Sequence, residues 1–196
     1  MQTNSGGGVS KNSSLYNSFP QSYFRCFGIR EKARMNTIYL SLGANIGHRE
    51  RNIGLAIQGL ASRGVRVTRR SSLYETEPVD MKSKDWFLNC VVEAETALAP
   101  EELMRVLLEL ERALGRERRV LHGPRIIDID ILLFGSSVVG TPDLEIPHPR
   151  IAKRRFVLVP FAEIAPDVQH PVLKKTIAAL LAETADRSEV RPWHPA

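Results

Sequence analysis

From residue 37 onward, apolar and polar positions alternate in blocks whose period switches between two and about 3.6 residues. Residues 37–42 form a short β-prone run that stops at Gly43-Ala44-Asn45-Ile46-Gly47. Ile53, Ala56, Ile57 and Leu60 then recur at helical spacing, and Gly64 suits the position that ends a helix in left-handed backbone. Residues 65–77 read as a strand stopped by Pro78, residues 79–85 as a polar loop, and residues 86–96 as a second long strand. Pro100 followed by Glu101 and Glu102 starts a helix, because proline suits the first turn and acids favour its positive end. Leu103, Val106, Leu107, Leu110 and Leu114 supply its buried stripe, and Gly115 closes it. Residues 126–134 predict a strand with a turn at Gly135-Ser136-Ser137, and residues 142–149 a proline-rich stretch. A short basic turn, a strand over 156–161 and a helix near 174–183 complete the pattern.

The order β-α-β-β-α-β with C-terminal additions predicts an α+β domain with a ferredoxin-like core, an antiparallel sheet with helices packed on one face. That fold hosts unrelated activities and selects none of them. The domain is expected over residues 35–196. Residues 1–34, rich in Ser, Asn and Gly and without steady periodicity, are expected to be disordered. Their few acids and several Arg and Ser fit a transit segment, and initiation at Met35 fits equally.

Charge narrows the partners. The formal +5 is concentrated in the first 34 residues, where Lys11, Arg25, Arg30, Lys32 and Arg34 face Glu31 alone. The body lacks the broad positive field of a nucleic-acid binder. No apolar run approaches the ~20 residues of a membrane span. Two cysteines, Cys26 and Cys90, give neither a disulfide framework nor metal spacing, so a reducing, cytoplasmic compartment is expected, with Cys90 a buried inert thiol. A monomer that binds no nucleic acid and no membrane is expected.

Chemistry concentrates in His122-Gly123-Pro124-Arg125-Ile126-Ile127-Asp128-Ile129-Asp130-Ile131-Leu132-Leu133. On a strand, Asp128 and Asp130 share one face, while Ile127, Ile129, Ile131 and Leu133 share the other and enter the core. Neighbouring carboxylates repel unless something compensates them, and Mg²⁺ seeks such oxygens while keeping water and substrate phosphates as further ligands. An exposed acidic face paired to arginines is the other reading of this spacing. Arg125 and the arginine-rich loop before it are suited to phosphate oxygens.

The segment 122–133 resembles the signature of the 6-hydroxymethyl-7,8-dihydropterin pyrophosphokinase family. Further matches occur in order: Gly43-Ala44-Asn45, Tyr74-Glu75-Thr76-Glu77-Pro78, Phe87-Leu88-Asn89, Glu111 with Gly115-Arg116, Pro147-His148-Pro149-Arg150, and Arg154-Arg155-Phe156-Val157. The resemblance implies transfer of pyrophosphate from ATP to the hydroxymethyl group of a reduced pterin, with release of AMP, in folate biosynthesis. It implies two Mg²⁺ ions on Asp128 and Asp130, and a pterin between Phe87 and Phe156, read by Asn89 and walled by Thr76, Pro78 and Val79. Arg116 and Arg125 join the two acids as catalytic residues. Glu111, Arg116, Arg118, Arg125, Ile131, His148 and Arg154 are placed on the ATP side.

Several of these residues have plainer readings. Phe87 and Phe156 fit ordinary core burial, Asn89 a satisfied strand-end amide, Glu111 a helix-surface salt bridge, and His148 a structural histidine between prolines. Gly43 and Asn45 are expected to end a strand and cap a helix rather than to catalyse. His122 stands where some family members have Trp, and a shorter loop over 115–122 blurs Arg118 against Arg119. The segments near 78–85 and 115–124 are expected to be mobile without ligand. Competing functions are a nucleic-acid-binding module, which needs stacking aromatics on central strands, and a two-metal nucleotidyl transferase. No Gly-x-x-x-x-Gly-Lys-Ser/Thr element is present, which disfavours a P-loop kinase.

Overall fold

The computed structural model describes residues 35–78, 85–116 and 125–194. The expected disorder of residues 1–34, all but the ends of the two expected mobile loops, and Val79, Arg118, Arg119 and His122 within those loops lie outside the described residues.

The elements run β1 (Asn36–Ala44), α1 (Arg49–Ala61), β2 (Val65–Arg70), β3 (Tyr74–Thr76), β4 (Phe87–Thr96), α2 (Pro100–Ala113) and β5 (Asp128–Phe134). They continue with the hairpin strands β6 (Val139–Thr141) and β7 (Leu144–Ile146), then a 3₁₀ turn (Ile151–Lys153), α3 (Arg155–Ile164), α4 (Ile177–Glu183) and β8 (Val190–Pro192). Among the described residues the main sheet runs β5-β1-β4, and every pairing in it is antiparallel. The outer edge of β4 is shared lengthwise: β2 covers its second half, β3 its first, and β8 pairs with β3 beyond.

Residues 65–77 therefore make two strands rather than the one expected. At the break, Ser71 donates its amide to Val91, while Glu163 of α3 accepts from the Ser72 amide and hydroxyl. A residue distant in sequence satisfies the interrupted backbone, which local pattern cannot foresee.

The sheet has two unlike faces. Ile38, Leu40 and Leu42 of β1, with Leu88, Cys90 and Val92 of β4, pack under Ile53, Ala56 and Leu60 of α1 and Leu103, Leu107 and Leu110 of α2. Positive φ at Gly64 and Gly115 turns the chain out of these two helices, as expected. Helices also cover part of the opposite face, contrary to the one-sided packing expected. Tyr39, Val91, Leu132 and Leu133 pack there against Val157, Leu158 and Phe161 of α3 and against Ile177 and Leu180 of α4.

The stretch 156–161, expected as a strand, lies within α3, from its first turn onward. A continuous apolar run carries no period of its own, and the available partner decides it. Here Val157, Leu158 and Phe161 fall on one helical face, and the Phe161 ring meets Tyr39 at 4.7 Å between centroids. Burying Phe161 fully is worth about 1.5–3 kcal/mol, which outweighs weak strand preferences.

A second correction concerns Leu133. A bulge between the Tyr39–Leu133 and Leu40–Ile131 pairs inserts Leu132 as an extra residue. That slip turns Leu133 onto the α3 face with Leu132, whereas Ile127, Ile129 and Ile131 stay under the α1 and α2 layer.

Candidate active site

Helices α3 and α4 cover only part of their face of the sheet. Along that face the sequence changes character: Tyr39 gives way to Ser41 and Gly43 on β1, Val91 to Asn89 and Phe87 on β4, and Leu132 to Asp130 and Asp128 on β5. Where the greasy half ends, these side chains line an open cleft holding about 820 Å³ of empty space, part of it bulk solvent. Thr76 and Glu77 complete one end of the cleft, and Arg125, His148, Arg150, Arg154 and Phe156 its rim. Strand alternation thus delivers the two carboxylates to the same face, as expected.

The two acids have different surroundings. Asp128 Oδ1 accepts from Arg116 Nη1 at 2.8 Å, and its Oδ2 pairs with Arg125. Burial, and then the charge of Asp128, push the Asp130 carboxyl up to about 6, against the pull of Arg154, Arg125 and Arg116. Asp128 is paired with two arginines, whereas among the described residues Asp130 has no such ion pair.

Glu111 is neither a surface salt bridge nor exposed to the cleft. It is 2% exposed, accepts the Ile129 amide at 2.7 Å and pairs with Arg116. Burial raises its carboxyl above the ordinary range, opposed by Arg116 and by the Ile129 amide. A chain Glu111–Arg116–Asp128–Arg125 therefore ties the end of α2 to the start of β5.

Asn45 caps no helix, contrary to expectation: His48 stands at the start of α1, which has no side-chain cap. Asn45 instead accepts the Arg125 amide on Oδ1 at 2.7 Å, and its own amide donates to the Arg125 carbonyl at 3.1 Å. The strand-end asparagine thus fixes the backbone that carries Arg125.

On the opposite wall, Asn89 Nδ2 donates to Thr76 Oγ1 at 2.6 Å. Between β4 and β5, Gly43 leaves the room this amide needs, since a Cβ there would stand 2.4 Å from Asn89 Oδ1. Pro78 ends the described part of that wall. Phe87 and Phe156 are only partly buried and line the cleft, Phe156 packing in addition against the core under α3 and α4. The Arg154 guanidinium lies 5.4 Å from the Phe156 ring centroid, within cation–π reach.

His148 follows the cis Ile146–Pro147 bond, and its amide donates to Leu132. Burial first, then Arg154 and Arg150, lower its imidazole to about 4, so it is neutral at pH 7. Its Nδ1 accepts the Arg150 amide at 3.1 Å, which leaves the proton on Nε2. Ile131 turns away from the cleft into the core beneath α1 and α2. Ser41 and Arg150 line the cleft without having been assigned roles from sequence. A small hydroxyl between Leu40 and Leu42 was the available signal for Ser41.

A cleft with arginines and paired acids at one end and two aromatic rings with an oriented amide at the other has the makings of a site for a phosphorylated donor and a flat polar acceptor. Residues 39–166 match the family model described as 7,8-dihydro-6-hydroxymethylpterin-pyrophosphokinase (HPPK), and the chain belongs to that family. It is 43% identical over 159 residues to the 2-amino-4-hydroxy-6-hydroxymethyldihydropteridine pyrophosphokinase of Bacillus subtilis, covering 81% of this chain and 90% of that protein. It is 38% identical over 158 residues to the folic acid synthesis protein fol1 of Pneumocystis carinii, covering 81% of this chain but 21% of fol1. A solved structure of Plasmodium falciparum HPPK-DHPS with pteroate aligns with a TM-score of 0.65 at 16% identity, over 78% of this chain and 45% of that one. That likeness shows the fold, a mixed α/β arrangement around an antiparallel sheet. No helix among the described residues is long and apolar enough to cross a membrane.

Proposed function

We propose that this chain transfers pyrophosphate from ATP to the hydroxymethyl group of 6-hydroxymethyl-7,8-dihydropterin, releasing AMP, as a step of folate synthesis. One observation carries the reading: a single open half of a sheet face presents the Asp128–Asp130 pair with its arginines and, beside it, the Phe87, Asn89 and Phe156 slot. Such transfer depends on alignment and charge neutralisation rather than on a covalent enzyme intermediate.

In this reading Phe87 and Phe156 stack the pterin, with Arg154 backing the second ring. Thr76 holds the Asn89 amide so that its oxygen and remaining N–H read the heterocycle edge. Arg116 and Arg125, which neutralise Asp128 here, exchange that partner for phosphate oxygens when the nucleotide enters. His148 offers an uncharged Nε2–H to phosphate.

The acids fit a hard divalent cation. Among the described residues there is no group of three or more His, Cys, Asp or Glu that could hold a metal ion. Mg²⁺ does not require one, since one or two carboxylates with substrate phosphates and water complete its shell. Asp128 and Asp130 would hold two such ions, which supply positive charge to the phosphates and make the pterin hydroxyl easier to deprotonate. The sheet order, with α1 and α2 in its two crossovers, supports a ferredoxin-like core over the domain 35–196. One chain supplies every group named, consistent with a monomer, and Cys90, buried with its thiol pushed up to about 12, suits a reducing cytoplasm.

The test is AMP release from ATP and Mg²⁺ with and without 6-hydroxymethyl-7,8-dihydropterin. Turnover should require the pterin and disappear in Asp128→Ala and Asp130→Ala. Near-normal turnover in either variant would remove the metal assignment.

A further inference from the structure

The two aromatic walls of the cleft stand on β4 and α3, which meet directly through Val91, Val157, Leu158 and Phe161. Phe87 opens β4, and Phe156 lies in the first turn of α3. Residues 184–193 bind the start of α3 and reach the start of β4 through β3 and Trp86. Asp186 Oδ2 accepts the Arg155 amide at 2.7 Å, capping α3 from outside where its own N-cap residue supplies no side-chain cap. Asp186 is itself held: its Oδ1 accepts the Ser188 amide at 2.8 Å, and its own amide donates to Thr184 Oγ1 at 3.3 Å.

Four residues on, the same segment grips the other wall. β8 pairs with β3, whose Thr76 stands opposite Phe87. Backbone bonds from Glu77 to Glu189 and from Trp193 to Leu73 extend the pairing at both ends. The Arg191 guanidinium donates to Glu75 Oε2 at 2.9 and 3.2 Å and stacks over the Trp86 ring 4.4 Å from its centroid. Arg49 closes the cluster, binding Glu75 Oε1 at 2.7 Å and the Trp86 carbonyl at 2.9 Å. The residue next to Phe87 is thereby fixed by both its ring and its backbone oxygen. None of residues 184–193 lines the cleft.

We propose that residues 184–193 are a strap that, added to this direct packing, sets the separation of the Phe87 and Phe156 rings at the cleft, with Asp186 and Arg191 as positioning residues for the flat acceptor. The inference rests on the reading that these rings bracket the pterin. A stacking slot is sensitive to small changes in width, because dispersion falls steeply with gap, whereas the nucleotide end is held separately through Glu111, Arg116 and Asn45. Loosening the strap therefore weakens acceptor binding and spares the nucleotide.

The test measures KM for each substrate in Asp186→Ala, Asp186→Asn, Arg191→Ala, Phe87→Ala and Phe156→Ala. Asp186→Ala and Arg191→Ala should each raise the pterin KM about tenfold and leave the ATP KM within about twofold. Asp186→Asn keeps an oxygen for the Arg155 amide and should stay near wild type. Arg191 is 54% exposed, so its loss does not threaten folding. A rise with Phe87→Ala and Phe156→Ala but none with Asp186→Ala and Arg191→Ala overturns the strap alone. No rise with either phenylalanine variant overturns the slot, and the strap with it. Equal movement of both KM values together with a lowered unfolding temperature reduces the strap to ordinary stabilisation and also overturns the proposal.

Discussion

Replacing Asp130 by Asn separates the work of its carboxylate from its cost to the fold. The Asp130 carboxyl is raised from 3.8 to about 6 by burial and by Asp128. Two pH units correspond to about 3 kcal/mol, and solvent entering the open cleft reduces this to roughly 1–2 kcal/mol. The sign follows from proton linkage. Below about pH 4 the group is protonated whether folded or unfolded and costs nothing. As pH rises through 6 the folded protein must ionise it at a disadvantage, so stability falls across that window. Asp130→Asn removes the charge and keeps the shape, and should raise the unfolding temperature in the absence of Mg²⁺ and nucleotide. For a chain of this size the gain is about 2–8 °C, full at pH 8 and about a third as large at pH 4.5, while turnover is lost at both. Thermal unfolding followed by circular dichroism at the two pH values measures it. An equal gain at both values, or a loss at pH 8, would refute the argument that Asp130 is an under-compensated charge. Asp128→Asn is the internal contrast: it strips a partner from Arg116 and Arg125 and should destabilise at pH 8.

Gly43→Ala should raise the pterin KM at least about tenfold with the fold intact, because the new methyl displaces an Asn89 amide that Thr76 already holds; an unchanged KM would show that Asn89 does not read the pterin. Glu111→Ala leaves the Ile129 amide and Arg116 without their buried acceptor and should cost about 2–4 kcal/mol in denaturant unfolding, with Glu111→Gln losing less. His148, lowered to about 4, should contribute no limb to the pH–rate profile between 5 and 8. A limb in that range that disappears in His148→Asn would refute this.

Much of the site was legible because chemistry and strand period coincide in one short stretch. Asp-x-Asp on a strand must share a face, and the apolar residues between the acids say which face is the core, so the carboxylate pair followed from spacing alone. The glycines ending α1 and α2 were legible for a similar reason, since left-handed backbone strongly favours that residue. Glu111 and Asn45 were not: each bonds to a group on β5 or just before it, and nothing local reveals which distant backbone amide a carboxylate or amide oxygen will meet.

By itself the sequence determined the main strands and helices, the grouping of acids with arginines, and the family. Tertiary structure alone decided that residues 156–161 coil into a helix, because a uniformly apolar run takes its period from whatever surface it is buried against. It also decided the face of Leu133, since one inserted residue reverses alternation, and the inequality of Asp128 and Asp130, since charge balance depends on which guanidinium groups the folded chain brings within reach.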